Sequence, residues 1–130
     1  MKQKIETTKA PKAAGPYSQA IGITILKGKY IFTSGQIHLT PEGKLLEGTI
    51  EEQTHQVMKN LQAVLEAAGV SFKEVVKTTI YVTDLTNYGK INEVYGSYFQ
   101  DPFPARETVQ VTALPLGAKV EISMVAVKAI

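Results

Sequence analysis

The sequence predicts a single α+β domain in which two helices pack on one face of a single β-sheet. The chain has 130 residues, 44% of them hydrophobic and 20% charged, which suits one ordinary globular domain. Two stretches have helical spacing, and the other periodic stretches alternate as strands do. The predicted order is hairpin, helix, strand, helix and two strands, which differs from the regular alternation of a doubly wound sheet. We therefore treat residues 1–130 as one domain.

Two stretches have the periodicity of amphipathic helices. The first helix is predicted from about Ile50 to Ala68, because Thr49 and Glu52 form a T-x-x-E capping box and Gly69 suits the position after the helix. The second helix is predicted between Asn87 and Gln100, with Asn87 as a candidate cap. Apolar stripes of this kind are typical of core packing rather than of a cofactor site.

The remaining periodic segments predict strands. Lys27–Lys29 is predicted to be the turn of a hairpin, Pro41–Gly43 a turn before the first helix, and a further strand is possible near Lys4. The five strands predicted with most support are Ala20–Leu26, Tyr30–Ser34, Val75–Thr83, Ala105–Thr112 and Lys119–Lys128.

The strand Val75–Thr83 is predicted to have two different faces. One face is mainly apolar, and the other is neither charged nor wholly apolar, which favours a subunit contact and hence a homo-oligomer. A solvated antiparallel sheet is the alternative. The first face carries Val76, Thr78, Ile80 and Val82, and the second carries Val75, Lys77, Thr79, Tyr81 and Thr83.

Composition excludes several classes of protein. Fourteen basic and 12 acidic residues give a net charge of +2 and form no basic stripe, so nucleic-acid binding is disfavoured. The absence of cysteine excludes disulfides, thiolate metal sites and a cysteine nucleophile. No apolar h-region follows the polar segment Met1–Lys9, which argues against a secretory signal. No apolar run reaches the roughly 20 residues of a membrane span. We therefore expect a cytoplasmic protein with no membrane role.

Familiar catalytic motifs are absent from the sequence. His38 and His55 are the only histidines and lack metal-site spacing, so no metal is predicted; we expect His55 on the exposed side of its helix and His38 in a surface loop. Ser34-Gly35-Gln36 is the nearest approach to a serine-hydrolase elbow, and no nucleotide-binding loop is present. Catalysis without a cofactor would have to use carboxylates, amines, hydroxyls and backbone dipoles.

Arg106 is the only arginine among the fourteen basic residues. It follows Pro102-Phe103-Pro104-Ala105, in which two prolines restrict the backbone before a strand. Arginine binds carboxylates through two parallel hydrogen bonds, whereas lysine offers a point charge. The sequence therefore predicts either a carboxylate-binding site or an ordinary surface ion pair at this position.

Glu121 is a charged residue in the middle of an apolar strand. Alternation places it opposite Val120 and Ile122, where a carboxylate is partly desolvated or paired. If Ala105–Thr112 is the neighbouring strand, Arg106 and Glu121 face one cleft, as a structural pair or as a catalytic pair. A further candidate is Tyr17, which a rigid turn presents just before a strand, with a buried structural tyrosine as the alternative.

Five short segments together resemble one known family. Each motif alone is weak, but their order and spacing are specific, and the likeness runs nearly end to end. The segments are Gly15–Ala20 (GPYSQA), Phe32–Ile37 (FTSGQI), Asn92–Tyr95 (NEVY), Pro104–Val109 (PARETV) and Lys119–Ile122 (KVEI). On these residues the chain resembles the RidA family, also called YjgF/YER057c/UK114.

The resemblance implies a chorismate-mutase-like α+β fold and a homotrimer whose sheets turn inward, with ligand clefts between adjacent subunits. It also implies 2-iminobutanoate/2-iminopropanoate deaminase activity. In that reaction, imines and enamines released by pyridoxal-phosphate enzymes such as threonine dehydratase are hydrolysed to 2-keto acids and ammonia. The protein itself would carry no cofactor.

The resemblance also implies roles for single residues. Arg106 matches the arginine that binds the substrate carboxylate, and Glu121 matches the glutamate that orients or activates water. Tyr17 matches the aromatic wall of the cleft. Pocket-lining positions correspond to Ser34, Gly35 and Asn92, with backbone contacts weighted above side-chain contacts at Gly35.

Thr108 departs from the family pattern, since cysteine is common at this position. The backbone N–H of Thr108 remains available to a substrate carboxylate, whereas any thiol role is put in doubt. A ligand-sensing or protein-binding trimer is the main alternative to an enzyme. An RNA-cleaving protein, as claimed for some relatives, is disfavoured by the modest charge.

Overall fold

The computed structural model describes residues 2–130, which form one seven-stranded sheet with two helices packed against it. The predicted α+β class is confirmed. The elements in chain order are β1 (Lys2–Ile5), β2 (Ala20–Ile25), β3 (Gly28–Thr33), β4 (Gln36–Ile37), α1 (Ile50–Ala67), β5 (Val75–Val82), α2 (Tyr88–Gly96), β6 (Ala105–Gln110) and β7 (Val120–Ala129).

The sheet is mixed, and β7 lies at its centre. The strand order is β1-β2-β3-β7-β5-β6, and the short β4 also pairs with β7. Every neighbouring pair is antiparallel except β5 and β6, which run parallel and are connected through α2. Parallel strands require such a crossover connection. As a result, β6 forms an edge of the sheet with α2 close to it.

Helix α1 begins and ends as the sequence predicts. The Thr49 hydroxyl accepts a hydrogen bond from the backbone N–H of Glu52, and the Glu52 carboxylate accepts one from the N–H of Thr49. Gly69, which follows the C-cap, has φ +79°, a conformation that glycine adopts without strain. The fully buried side chains Leu61 and Leu65 contribute roughly 1.5–3 kcal/mol each by leaving water. This helix therefore anchors the core.

Two predicted boundaries change by a few residues. The hairpin pairs Ile25 with Gly28, so its loop is Leu26-Lys27 and not Lys27–Lys29. Helix α2 ends at Gly96 and not near Gln100, and Asn87 takes the N-cap position without a side-chain hydrogen bond. The possible strand near Lys4 is confirmed as β1. No helix within residues 2–130 combines the length and apolarity needed to cross a membrane.

The faces of β5 depart from strict alternation at its first residues. A register shift between Val75 and Lys77 in the pairing with β7 marks an irregularity of the β-bulge kind. Val75 is therefore buried and Val76 is 48% exposed, the reverse of the predicted assignment. From Thr78 onward the alternation holds, because Thr78 and Ile80 are buried against the helices.

His38 is buried, so the expectation of a surface histidine was wrong. Its Nδ1 lies 2.9 Å from the carbonyl oxygen of Leu46, and its Nε2 accepts a hydrogen bond of 2.9 Å from the N–H of Lys119. The ring is thus neutral with the proton on Nδ1. Burial lowers the pKa of His38 from 6.5. The imidazole connects the segment after β4 to the start of β7. His55 is exposed on α1, as predicted.

Candidate functional site

Glu121 lies in the central strand on the face that the helices leave uncovered. Its neighbours Val120 and Ile122 are fully buried on the helix side, so alternation directs the carboxylate to the opposite side. Burial raises the pKa of Glu121 from 4.5. Among residues 2–130 the carboxylate has no ion-pair partner, since the salt bridges are Lys4–Glu6 and Lys77–Glu107. It is a half-desolvated acid without a neutralising charge.

Gly35 lies directly beneath this carboxylate. A Cβ atom added to Gly35 would come within 2.3 Å of Glu121 Oε2 and 2.8 Å of its Cδ. Strand β4, which follows Gly35, pairs Ile37 with Glu121 and holds the two segments in register. Because Gly35 has no side chain, there is space for the Glu121 carboxylate, and the backbone of Gly35 is exposed beside this carboxylate.

Ser34 anchors the turn that carries Tyr17. Its hydroxyl donates a hydrogen bond to the carbonyl of Ser18, and its N–H donates to the carbonyl of Gln19 at 2.8 Å. Tyr17 is 54% exposed, and its hydroxyl accepts a hydrogen bond of 3.1 Å from the N–H of Ala14. A cavity of 690 Å³ beside this turn includes Tyr17 but not Glu121. We call Glu121, Gly35 and the adjoining Ser34 the glutamate cluster; Tyr17 lies on the turn that Ser34 anchors.

Arg106 lies on edge strand β6 and faces the helix side of the sheet. It pairs in register with Thr78, whose side chain is fully buried. Arg106 Nη2 donates a hydrogen bond of 3.0 Å to the Tyr88 hydroxyl. Its Cζ lies 5.0 Å from the ring centroid of Tyr95 and 5.6 Å from that of Tyr88, within the range of cation–π contacts. The guanidinium is therefore held by two aromatic residues of α2.

Asn92 and Thr108 complete the surroundings of Arg106. Asn92 lies one helical turn after Tyr88, and hydrogen bonding from Asn92 together with the charge of Arg106 lowers the pKa of Tyr88 from 10.0. Thr108 follows Arg106 by two residues on the same strand face, and its buried hydroxyl oxygen has no hydrogen-bond partner in residues 2–130. We call Arg106, Tyr88, Tyr95, Asn92 and Thr108 the arginine cluster.

The surface ion pair considered for Arg106 is not found. Neither of the two salt bridges in the described chain, residues 2–130, includes this residue. The hydroxyl of Tyr88 is a neutral partner, and the guanidinium has five N–H donors. The side chain is thus positioned while most of its hydrogen-bonding capacity stays available for an anion.

The two clusters do not meet within one chain, because β5 separates β6 from β7. Glu121 pairs with Tyr81 on the uncovered face, whereas Arg106 pairs with Thr78 on the helix face. The condition for a shared cleft inside one chain, that Ala105–Thr112 is the strand next to that of Glu121, is therefore not met. A site that uses both residues requires two chains.

Sequence reasoning gave no role to Tyr88, and it named Tyr95 as the end of the Asn92–Tyr95 motif, without a role in the site. A signal was present, since Tyr88, Asn92 and Tyr95 are spaced four and three residues apart and share one face of α2. The hydroxyl of Tyr95 donates to Thr78 inside the core at 2.9 Å. Helical spacing alone does not reveal that this face points to β6.

A family model and a named relative both match nearly the whole length of this chain. The family model described as Endoribonuclease L-PSP matches residues 7–128. The Mus musculus 2-iminobutanoate/2-iminopropanoate deaminase is 46% identical over 98% of this chain and 93% of its own length.

Two solved structures are also similar. A Yersinia pestis protein of the conserved Rid family is 48% identical, with a TM-score of 0.89 and coverage of 97% of this chain and 98% of its own. The structure of E. coli TdcF with bound serine is 38% identical, with a TM-score of 0.88 and coverage of 98% and 99%. With the motifs, the fold and the family model in agreement, the chain belongs to the RidA (YjgF/YER057c/UK114) family.

Proposed function

We propose that the protein is a 2-iminobutanoate/2-iminopropanoate deaminase, which hydrolyses reactive 2-imino acids to 2-keto acids and ammonia. The observation that carries the proposal is the state of Arg106. It is the only arginine, two tyrosines hold it, and no carboxylate of residues 2–130 neutralises it. The 46% identity to a deaminase of that name supports the same substrate class.

Arg106 binds the carboxylate that every 2-imino acid carries. Its remaining N–H groups can form the paired hydrogen bonds typical of arginine and carboxylate. The backbone N–H of Thr108 and the side chain of Asn92 add polar contacts beside it, and Tyr17 and Ser34 line the opposite part of the cleft. Because the guanidinium is held in place, its paired hydrogen bonds to the carboxylate also orient the C2 carbon of the substrate.

Glu121 handles the attacking water. The ionised carboxylate takes a proton from water as the oxygen bonds to C2 of the protonated imine, giving a tetrahedral aminoalcohol. Glu121 then gives this proton to the amine nitrogen and takes the hydroxyl proton as the C=O bond forms and the C–N bond breaks. Ammonia accepts that proton from Glu121, so the 2-keto acid and ammonium leave and the carboxylate is ionised again. A raised pKa makes Glu121 a better base than an ordinary carboxylate, and its negative charge stabilises the cationic imine.

The complete site lies between subunits of a homotrimer in this proposal. The uncovered sheet face carries half-exposed apolar residues, including Tyr30 and Phe32 on β3, which pair with Val127 and Val125 of β7. Apolar surface of this kind favours burial against another chain. Trimer assembly would bring the glutamate cluster of one subunit to the arginine cluster of its neighbour. Within one chain the two clusters do not meet. The enzyme would act in the cytoplasm on products of pyridoxal-phosphate enzymes, without a cofactor of its own.

A ligand-binding protein without turnover is the second candidate, and the structure of E. coli TdcF with bound serine favours it. Serine has a carboxylate but no imine. The ribonuclease activity named by the family model receives less support, because both histidines already have partners. His38 is buried, and both of its ring nitrogens are bonded to the backbone. His55, on α1, contacts the hydroxyl of Tyr98.

A coupled assay tests the proposal. Threonine dehydratase generates 2-iminobutanoate, semicarbazide traps the imine, and semicarbazone formation is followed by absorbance. Native protein should suppress trapping and accelerate release of 2-oxobutanoate, while Glu121→Gln should not. Binding of 2-oxobutanoate without any suppression by the native protein would replace the enzyme with the ligand-binding candidate.

A further inference from the structure

We propose that Tyr88 is a positioning residue for Arg106 and that its hydroxyl supplies an additional donor to the ligand carboxylate. The inference rests on the proposed function, because the ligand in question is a 2-imino or 2-keto acid. It concerns a side chain that the sequence motifs do not include. The hydroxyl contact at 3.0 Å with Arg106 Nη2 is its starting point.

The two aromatic contacts of Arg106 restrain different motions. The Tyr95 ring, 5.0 Å from Cζ, is buried and attracts the positive guanidinium, but attraction to a ring does not select one rotation of the guanidinium in its own plane. A hydrogen bond has a preferred direction. The bond from Nη2 to the Tyr88 oxygen therefore fixes the in-plane rotation, and with it the direction in which the remaining N–H pair points.

The Tyr88 hydroxyl accepts from Arg106 and still has a proton to donate. The phenol oxygen accepts a hydrogen bond of 3.0 Å from Arg106 Nη2, and Asn92 together with the charge of Arg106 lowers the pKa of Tyr88 from 10.0. A phenol oxygen that accepts a hydrogen bond from a guanidinium still has its own O–H proton to donate elsewhere. Tyr88 is 43% exposed as the first residue of α2, so this proton is accessible to a bound ligand.

These contacts assign Tyr88 an effect on binding rather than on the chemical step. Tyr88 lies on the helix face with Arg106, whereas Glu121 lies on the other face of the sheet. A group that touches only the carboxylate side of the ligand stabilises ground state and transition state alike, which raises affinity and leaves kcat unchanged. Removal of the hydroxyl should therefore raise KM.

The test compares Tyr88→Phe with a matched control, Tyr98→Phe. Both substitutions remove one phenol oxygen, but the Tyr98 hydroxyl contacts His55 at 2.8 Å and not Arg106. For Tyr88→Phe we expect roughly tenfold weaker 2-oxobutanoate binding by calorimetry, roughly tenfold higher KM, and kcat within about twofold of native. The control should stay within about twofold of native in all three.

A spectroscopic readout separates positioning from general damage. Because Arg106 is the only arginine, its guanidinium gives one set of NMR signals. Rotation about the Nε–Cζ bond should be slow in the native protein without ligand and faster in Tyr88→Phe. Unchanged rotation in Tyr88→Phe overturns the positioning role, and unchanged 2-oxobutanoate affinity overturns the donor role.

The two proposals fail in different ways. If the native protein binds and hydrolyses its substrate while Tyr88→Phe matches it in affinity and in guanidinium rotation, only the role of Tyr88 is wrong. If the native protein neither binds 2-oxobutanoate nor suppresses imine trapping, the proposed function is wrong, and the ligand role of Tyr88 is wrong with it.

Discussion

The glutamate cluster and the arginine cluster hold opposite charges by opposite means. Glu121 lies on the central strand, half-buried and without a charged partner in residues 2–130, and its pKa is raised by burial alone. Arg106 lies on the edge strand, between tyrosines that orient it. Burial leaves the Glu121 carboxylate without a neutralising charge, whereas the two tyrosines hold the Arg106 guanidinium in place. In the proposed function, reaction and recognition therefore belong to separate surfaces.

The largest expected effect comes from removing the reactive group of the glutamate cluster. Glu121→Gln should lower kcat about 100-fold or more and leave KM within a few-fold, since a general base contributes roughly 10²–10⁴ in rate. Steady-state kinetics in the trapping assay measure both values. Native-like kcat in Glu121→Gln would remove this residue from the mechanism.

The same substitution should stabilise the fold at neutral pH. Because the folded-state pKa of Glu121 lies above 4.5, its contribution to stability is fully present below pH 4.5 and is lost as the pH rises through the folded value. Glutamine stays neutral and avoids that loss. Thermal unfolding should give a higher Tm for Glu121→Gln than for native protein at pH 7 and no such gain at pH 4.

A smaller change is expected from the arginine cluster, and it should appear in a different parameter. Arg106→Lys keeps the charge but loses the planar fork, so KM should rise about 30-fold while kcat changes little. Lys59→Arg, which alters an exposed residue of α1, is the control. A fall confined to kcat would contradict the separation of binding from chemistry.

Displacement of Glu121 without changing its chemistry should have an intermediate effect on kcat. In Gly35→Ala the new methyl group would lie 2.3 Å from Oε2, so the carboxylate must move, and we expect kcat to fall about tenfold. Gly96→Ala is the matched control, because nothing lies within 4 Å of its added Cβ. Equal kinetics for the two variants would show that the position of the carboxylate is unimportant.

The smallest effect concerns His38, which joins the β4 side of the glutamate cluster to β7. Desolvation lowers its folded-state pKa below 6.5, so the fold keeps its full stability above pH 6.5 and loses some as the pH falls through the lowered value. His38→Gln cannot titrate, and its Tm should change less between pH 7 and pH 5 than that of native protein. Parallel Tm profiles would contradict this assignment.

Local sequence signals predicted most of the elements. The capping box and apolar spacing placed α1, and alternation placed Glu121 on the uncovered face. The bulge at Val75 and Val76 was not predictable, since it depends on pairing with β7. Burial of His38 depends on backbone groups of Leu46 and Lys119, which are distant in the sequence.

The candidate site residues could be named one by one from the sequence, but their arrangement could not. Motifs identified Arg106 and Glu121, yet their relation depends on strand order, and the insertion of β5 between β6 and β7 is a long-range property. The role proposed for Tyr88 rests on one contact across the parallel crossover, Arg106 Nη2 to its hydroxyl, which helical spacing does not predict. Periodicity predicts on which face of a helix or strand a residue lies, but not which residues of other elements it contacts.

The central claim is that the two clusters act together across a subunit boundary, and subunit mixing tests it most directly. Arg106→Ala, through a raised KM, and Glu121→Gln, through a lowered kcat, should each have little activity at low substrate concentration. The two variants would be unfolded together in equal amounts, refolded as mixed oligomers and assayed under that condition. An active site needs one subunit with an intact Glu121 next to one with an intact Arg106. Each condition holds for half of the sites, so the mixture should regain about a quarter of native activity. A mixture as inactive as the separate variants would contradict the claim.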